Sequence, residues 1–283
     1  MNTIFQGDSL EVLKKIEDCS VDMCVTSQPY FGLRDYGVDG QVGLEETPEQ
    51  YVSVLVNIFD EVRRVLKNEG TFWLNIGDSY YNYRPGNYSD NRAHSFGGER
   101  TDSKKRGMPD SPSSCKRGRM LQGVKEKELI GIPWKLAFAL QKQGWYLRQD
   151  IIWNKPNPMP ESVKDRCTKA HEYVFLLSKS PKYYFNHEAI KEPTVDGGKE
   201  RNKRSVWTVA TKPYKGAHFA VFPKELIEPC ILAGCPEGGI VLDPFFGSGT
   251  TGVVAQQSGR NFIGIELNPS YIELSKKRIG GKT

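Results

Sequence analysis

The stretch GIVLDPFFGSGTTGVVAQQSGRNFIGIEL, residues 239–267, decides the fold. A short run of branched apolar residues ends at Asp243, a glycine-rich turn follows, residues 250–257 have the character of a helix, and NFIGIEL is a second apolar run. Strand, glycine turn, helix, strand is the repeating unit of a parallel sheet covered by helices. Gly247, Gly249 and Gly252 fit the pattern GxGxxG, and Glu266 falls nineteen residues after Gly247. Glycine lets the backbone approach a ligand, the start of a helix offers free N–H groups, and an acid at that distance accepts hydrogen bonds from ribose hydroxyls. On this pattern alone the ligand is any nucleotide-like molecule, NAD included. Asp243 shifts the balance, because a carboxylate at the strand end attracts an ammonium and repels a pyrophosphate.

Outward from this unit the same alternation continues. TIFQG reads as a strand and leads to a helix capped by Asp8 or Ser9, with Leu10, Val12, Leu13 and Ile16 on its apolar face. VDMCVT is the next strand. A helix follows Pro48, burying Tyr51, Val54, Leu55, Ile58, Phe59, Val62 and Leu66, with Gly70 just beyond its end. TFWLNI, WYLRQDIIW, EYVFLLS and KYYFN read as strands, with a helix over residues 133–143 between the first two. Three prolines in five residues interrupt NKPNPMPESVKDR, and residues 192–216 read as irregular. A helix over 222–233 and a last helix over 269–279 flank the opening motif. The expected fold is α/β, a doubly wound, mostly parallel sheet in a single domain spanning 1–283, at a length one large domain accommodates.

Composition sets the class. With 38% hydrophobic and 26% charged residues the chain is neither disordered nor fibrous. Six cysteines without a CxxC pair read as reduced thiols, and Cys167 with His171, two ligands four apart, do not make a metal site. MNTIFQGDSLEVLKK carries charges where a secretory signal needs an apolar core, and no apolar run approaches the ~20 residues of a membrane span, so a cytoplasmic protein is expected. The net charge of +5 is concentrated: residues 84–128 hold eleven Lys and Arg against six Asp and Glu. That stretch is rich in Gly, Ser, Pro and Asn, with Tyr80, Tyr81, Tyr83, Tyr88 and Phe96 at or near its start. The basic insertion, 81–128, suits phosphate contact and base stacking, or is a solvated surface loop, and residues 84–128 are expected to be poorly ordered in the absence of nucleic acid.

Two motifs carry the chemistry. Asp243-Pro244-Phe245-Phe246-Gly247-Ser248-Gly249-Thr250-Thr251 resembles motif I, D-P-F-x-G-S-G-T-T, of the DNA amino-methyltransferases. Ser27-Gln28-Pro29-Tyr30, after the strand VDMCVT, resembles their motif IV, commonly S-P-P-Y in cytosine N4 enzymes and D-P-P-Y or N-P-P-Y in adenine N6 enzymes. FQGDSLEVL, LNIGD, DIIWNKPNPMP and HFAVFPKELIEPCI resemble the same family, in the permuted order of its β group. The resemblance implies a circularly permuted Rossmann-like fold, S-adenosyl-L-methionine as cofactor, and methylation of an exocyclic amino group in double-stranded DNA, at cytosine N4 before adenine N6. It assigns Asp8 to the adenine end of the cofactor, Phe222 and Pro223 to the pocket wall, and Asp243, Phe245, Gly247, Gly249, Thr250 and Glu266 to direct cofactor contact.

An exocyclic amine has its lone pair delocalised into the ring, so the site must accept hydrogen bonds from both amino hydrogens as the nitrogen pyramidalises. Ser27 Oγ and the Gln28 carbonyl are the expected acceptors, and Pro29 and Tyr30 complete the loop, the Tyr30 ring stacking on a base rotated out of the duplex. Gln28 departs from the usual proline, which frees a backbone angle and leaves a catalytically idle DNA-binding relative as an alternative. Cytosine C5 chemistry needs a thiolate after a proline; Pro229-Cys230 is the one such dipeptide, and its place in the helical pattern KELIEPCILA marks a buried apolar role. The candidate target-recognition region is 156–216, between the proline-rich motif and Phe222-Pro223. A cognate restriction endonuclease is a further partner that the resemblance admits.

Overall fold

The computed structural model describes residues 2–33, 37–81, 123–212 and 222–281. In chain order the strands are β1 (Asn2–Gln6), β2 (Val21–Thr26), β3 (Leu66–Ile76), β4 (Tyr146–Asn154), β5 (His171–Ser178), β6 (Glu192–Pro193), β7 (Glu200–Arg201), β8 (Val206–Thr208), β9 (Ile240–Asp243) and β10 (Asn261–Glu266). The helices are α1 (Ser9–Leu13), α2 (Pro48–Val65), α3 (Ile132–Lys142), α4 (Lys224–Gly234), α5 (Thr250–Gln257) and α6 (Pro269–Gly280). Eight strands form one sheet in the order β1-β10-β9-β2-β3-β5-β4-β8, and β6 pairs with β7 apart from it. Five of the pairings in the large sheet are parallel; the two made by β5, with β3 and with β4, are antiparallel.

Period-two alternation delivers side chains to both faces. Cys24, Phe72, Leu74 and Leu242 point into a core shared with Leu55 and Phe59 of α2 and Leu136 of α3. Met23, Val25, Trp73 and Val241 point into a second core with Leu226 and Ile231 of α4 and Val254 of α5. Helices therefore cover both sides. Because α5 lies on one face and α2 on the other, the connections leaving β9 and β2 diverge, and a crevice opens at the carboxyl ends of these neighbouring strands.

The N-terminus of α2 is set locally: Thr47 Oγ1 accepts from the Gln50 amide while the Gln50 side chain accepts from the Thr47 amide, with Pro48 in the first turn. Its far end differs from the sequence expectation. Leu66 is already extended and opens β3, and Gly70 lies within that strand, where a Cβ would stand 3.1 Å from Asp22 O. KYYFN is no strand: the Tyr184 amide bonds Glu69 O near the start of β3 and the Asn186 amide bonds Ala233 O near the end of α4, so two of its donors go to separate elements. Part of the stretch read as irregular, 192–216, is regular after all. It supplies β6, β7 and β8, and β8 extends the sheet by pairing with Ile152–Asn154.

Candidate active site

A continuous cavity of about 960 Å³ among the described residues runs along the carboxyl ends of β9, β10 and β2 and on past β3, β4 and β5. At one end lies the glycine turn. Asp243, 1% exposed, ends β9; its Oδ1 accepts from Thr26 Oγ1 at 2.6 Å and from the Phe245 amide at 3.1 Å, and its Oδ2 accepts from Thr251 Oγ1 at 2.6 Å. Burial nevertheless pushes its pKa up to about 6, the three donors opposing that rise. Glu266 ends β10, accepting from the Gly247 amide and the Asn268 amide, each at 2.8 Å, and burial raises its pKa as well. Asp8 caps α1 through the Glu11 amide at 3.0 Å and lines the same cavity, and Ser9 Oγ donates to Pro244 O at 2.6 Å, tying α1 to the turn. Three carboxylates around one end favour a ligand with positive charge and hydroxyl donors. S-adenosyl-L-methionine, with an ammonium, a sulfonium and ribose hydroxyls, fits that set.

The glycines divide by role. A Cβ on Gly247 would meet nothing closer than Phe245 O at 3.9 Å, so its openness serves the cavity it lines. Gly249 has φ +78° and a Cβ there would stand 2.8 Å from Ser275 Cβ; one on Gly252 would stand 2.7 Å from Phe246 Cζ. Both make room for packing, and Gly249 is absent from the cavity lining. Pro223 is also absent from it, standing at the N-cap of α4, whereas Phe222, Phe245 and Thr250 line it.

At the other end lies the loop after β2. Ser27, Gln28, Pro29 and Tyr30 all line the cavity. Tyr51 OH, from α2, donates to Pro29 O at 2.6 Å, which anchors the loop to a helix. The Tyr30 phenol donates to Glu172 Oε2 at 2.6 Å; burial first, and the Glu172 charge second, hold its pKa well above the ordinary value. Gln28 is 2% exposed, and neither its Nε2 nor its Oε1 has a hydrogen-bond partner among the described residues.

Sequence reading missed a group that the fold adds here. Asn75, Asp78, Trp153, Lys155, Lys169, His171 and Glu172 line this end of the cavity. Glu172 pairs with Lys155 and accepts from Asn75 Nδ2 at 3.2 Å. Asp78 accepts from the amides of Gly131 and Ile132 at the start of α3, and Lys169 Nζ donates to Asp78 O at 2.8 Å, with burial lowering the Lys169 pKa. Asn75, Asp78, Trp153 and Lys155 lie in the stretches LNIGD and DIIWNKPNPMP, whose resemblance pointed to them without a role; nothing pointed to Glu172. Cys230 is buried in the core on α4, its thiol pKa well raised by burial, and lies outside the cavity lining. Among the described residues no cluster of His, Cys, Asp and Glu has the makings of a metal site. Most of the basic insertion, residues 82–122, and residues 213–216 of the recognition region lie outside the described residues.

A doubly wound sheet with an acid-and-glycine turn facing a Ser-Gln-Pro-Tyr loop across one cavity defines a nucleotide-cofactor group-transfer enzyme. The family described as DNA methylase matches residues 21–277, so the chain belongs to the N6/N4 DNA methylases, S-adenosyl-L-methionine-dependent DNA methyltransferases acting on amino groups. It is 53% identical over 281 residues to the type II methyltransferase M.Cfr9I of Citrobacter freundii, covering 99% of this chain and 88% of that protein. It is 51% identical to M.SmaI of Serratia marcescens, covering 98% and 90%. The PvuII DNA methyltransferase (cytosine-N4-specific) shares the fold at a TM-score of 0.71 and 20% identity, over 100% of this chain and 87% of that one. TTHA0409 of Thermus thermophilus, solved with S-adenosyl-L-methionine, shares it at 0.63 and 24% identity, over 99% and 93%. DNA is the substrate, and among the described residues no helix is long and apolar enough to cross a membrane.

Proposed function

We propose that the chain methylates cytosine N4 at a specific site in double-stranded DNA. The observation that supports this reading above others is that the loop Ser27–Tyr30 and the turn Asp243–Gly247 line one cavity at the carboxyl ends of adjacent strands. Ser27, where adenine enzymes of the family commonly carry Asp or Asn, favours cytosine.

The cofactor, when bound, supplies an electrophilic methyl group. Asp243, Glu266, Asp8, Phe222, Phe245, Gly247 and Thr250 hold it, with Gly249 and Pro223 acting behind them through packing and the start of α4. Ser27 Oγ and the Gln28 carbonyl accept the amino hydrogens, and the Tyr30 ring carries the base after it leaves the stack. The Pro29 carbonyl, already bonded by Tyr51, fixes the loop. Residues 156–216 read the target and 81–128 add phosphate contacts. In this reading the protein works in the cytoplasm beside an endonuclease of the same target; its relatives bear the name type II methyltransferase.

Incubation with methyl-labelled S-adenosyl-L-methionine and duplex DNA, followed by nucleoside analysis, is expected to place the label in N4-methylcytosine. Label in N6-methyladenine would move the acceptor to adenine, and no incorporation would leave an idle DNA-binding protein.

A further inference from the structure

We propose that Glu172 is a positioning residue which, by accepting the Tyr30 phenol, fixes the plane on which the target base rests. The inference rests on the proposed role of Tyr30 and adds the group that orients it. Four separate parts of the sheet meet at this carboxylate: Tyr30 follows β2, Asn75 is in β3, Glu172 in β5, and Lys155 follows β4.

The arrangement leaves Tyr30 little freedom. Its hydroxyl is held at 2.6 Å by Glu172 Oε2, which also takes Asn75 Nδ2 at 3.2 Å, and Asn75 Nδ2 in turn reaches Tyr173 O at 3.1 Å. Glu172 Oε1 pairs with Lys155, whose Nζ sits 4.2 Å from the centre of the Trp153 ring. The ring of Tyr30 and the carboxylate both lie against Gly77, where a Cβ would stand 2.8 Å from Tyr30 Cε2 and 3.2 Å from Glu172 Cδ. Backbone on one side and a charge-assisted hydrogen bond at the tip remove rotations that an unanchored tyrosine would lose only on capturing a base. Tyr30, Asn75, Gly77, Trp153, Lys155 and Glu172 all line the cavity, so the bracing happens beside the reacting base. A raised phenol pKa keeps the proton that Glu172 accepts in place.

The consequence is that Glu172 acts through Tyr30, which a double-mutant cycle detects. The measurements are turnover and KM for a duplex carrying the mapped target, the fluorescence of 2-aminopurine at the target position as a report of unstacking, and cofactor affinity by calorimetry. Tyr30→Phe and Glu172→Ala are each expected to lower kcat/KM for DNA about tenfold, the scale of one charge-assisted hydrogen bond, and to reduce the fluorescence rise. The double variant should fall no further than the worse single one within about twofold, and cofactor affinity should not change. Glu172→Gln, which keeps an accepting oxygen, should recover part of the loss. Losses that multiply in the double variant, or a Tyr30→Phe enzyme equal to wild type, overturn the proposal. Should Glu172→Ala fail to fold with Lys155 left unpaired, Glu172→Gln takes its place in the cycle with Tyr30→Phe, and losses that multiply there overturn the proposal equally. Tyr30→Ala separates the two levels: full activity and fluorescence in that variant would remove the role of Tyr30 itself, whereas loss there with a normal Tyr30→Phe enzyme removes only Glu172.

Discussion

Asp243 carries its charge at a cost. Its folded pKa of about 6 stands above the ordinary value, so the folded chain binds its proton more tightly than the unfolded chain does. Its stabilising contribution is present below about pH 4 and is lost as pH rises through 6, a difference on the order of 3 kcal/mol. Asp243→Asn keeps partners, since the Thr26 and Thr251 hydroxyls can turn to accept as well as donate. It is expected to raise the melting temperature at pH 8 and to lose that advantage towards pH 4, while weakening cofactor binding roughly ten- to a hundredfold. Melting curves that run parallel to wild type across that range would contradict this account. Gln28 presents a related cost, an enclosed amide without partners among the described residues. Gln28→Met should raise stability by about 1–3 kcal/mol in denaturant titrations of the free protein; a loss would mean that the amide is satisfied. Ser27→Ala should lower turnover by roughly a hundred- to a thousandfold with cofactor affinity unchanged, as expected of an acceptor used only in the transition state. A variant that loses cofactor affinity in parallel would reassign Ser27 to binding.

At the scale of elements, the turn between β9 and α5 does two jobs with neighbouring glycines. Gly249 lets α5 approach α6, and Gly247 leaves space over the cavity. Gly249→Ala adds a left-handed alanine to a contact 2.8 Å from Ser275 and is expected to cost about 2–4 kcal/mol of stability. Gly247→Ala, at φ +51° in open space, should cost about 1–2 kcal/mol and act chiefly on cofactor affinity. Chemical denaturation and calorimetry on the two variants separate these effects, and equal losses in both measurements would dissolve the division. Glu266 belongs to the same design, since its carboxylate bonds the Gly247 amide and so joins β10 to the turn.

Across the whole molecule, the base of the basic insertion touches the candidate target-recognition region. Tyr80 bridges to Leu129, the Tyr81 amide bonds Glu128 O, and the Lys127 amide bonds Tyr81 O, so the chain leaves and re-enters at one clamp. That clamp touches the recognition region: Arg166 lies 3.7 Å over the Tyr80 ring, and Lys127 pairs with Asp165 at 2.8 Å. Tyr80 directly follows Asp78 and Ser79, which line the cavity. Replacing residues 84–122 with a short glycine-serine link keeps the clamp and removes nine Lys and Arg. The slope of log affinity for DNA against log salt should become shallower by about 0.9 for each phosphate that is no longer neutralised, with nucleoside specificity retained. An unchanged slope would show that the segment touches no phosphate.

What the sequence determined by itself is what is local. The strand, glycine turn and helix of residues 239–267, the helix start at Pro48, and the loop Ser27–Tyr30 were legible because periodicity, turn chemistry and motif spacing act within a few residues. Tertiary structure decided the rest. Glu172 meets both Tyr30 and Lys155 because β5 inserts antiparallel between β3 and β4, a pairing that no local pattern encodes. KYYFN has strand-like composition and is none, because Glu69 and Ala233 capture its amides. Val206–Thr208, in a stretch that reads as irregular, becomes the eighth strand because β4 has a free edge to accept it. Whether a glycine serves ligand or packing turned on clearance: a Cβ would have 3.9 Å to its nearest neighbour at Gly247 and 2.8 Å at Gly249, where Ser275 of α6 lies on the turn. Interactions distant in sequence depend on strand order and helix approach, and these emerge only when the whole chain packs.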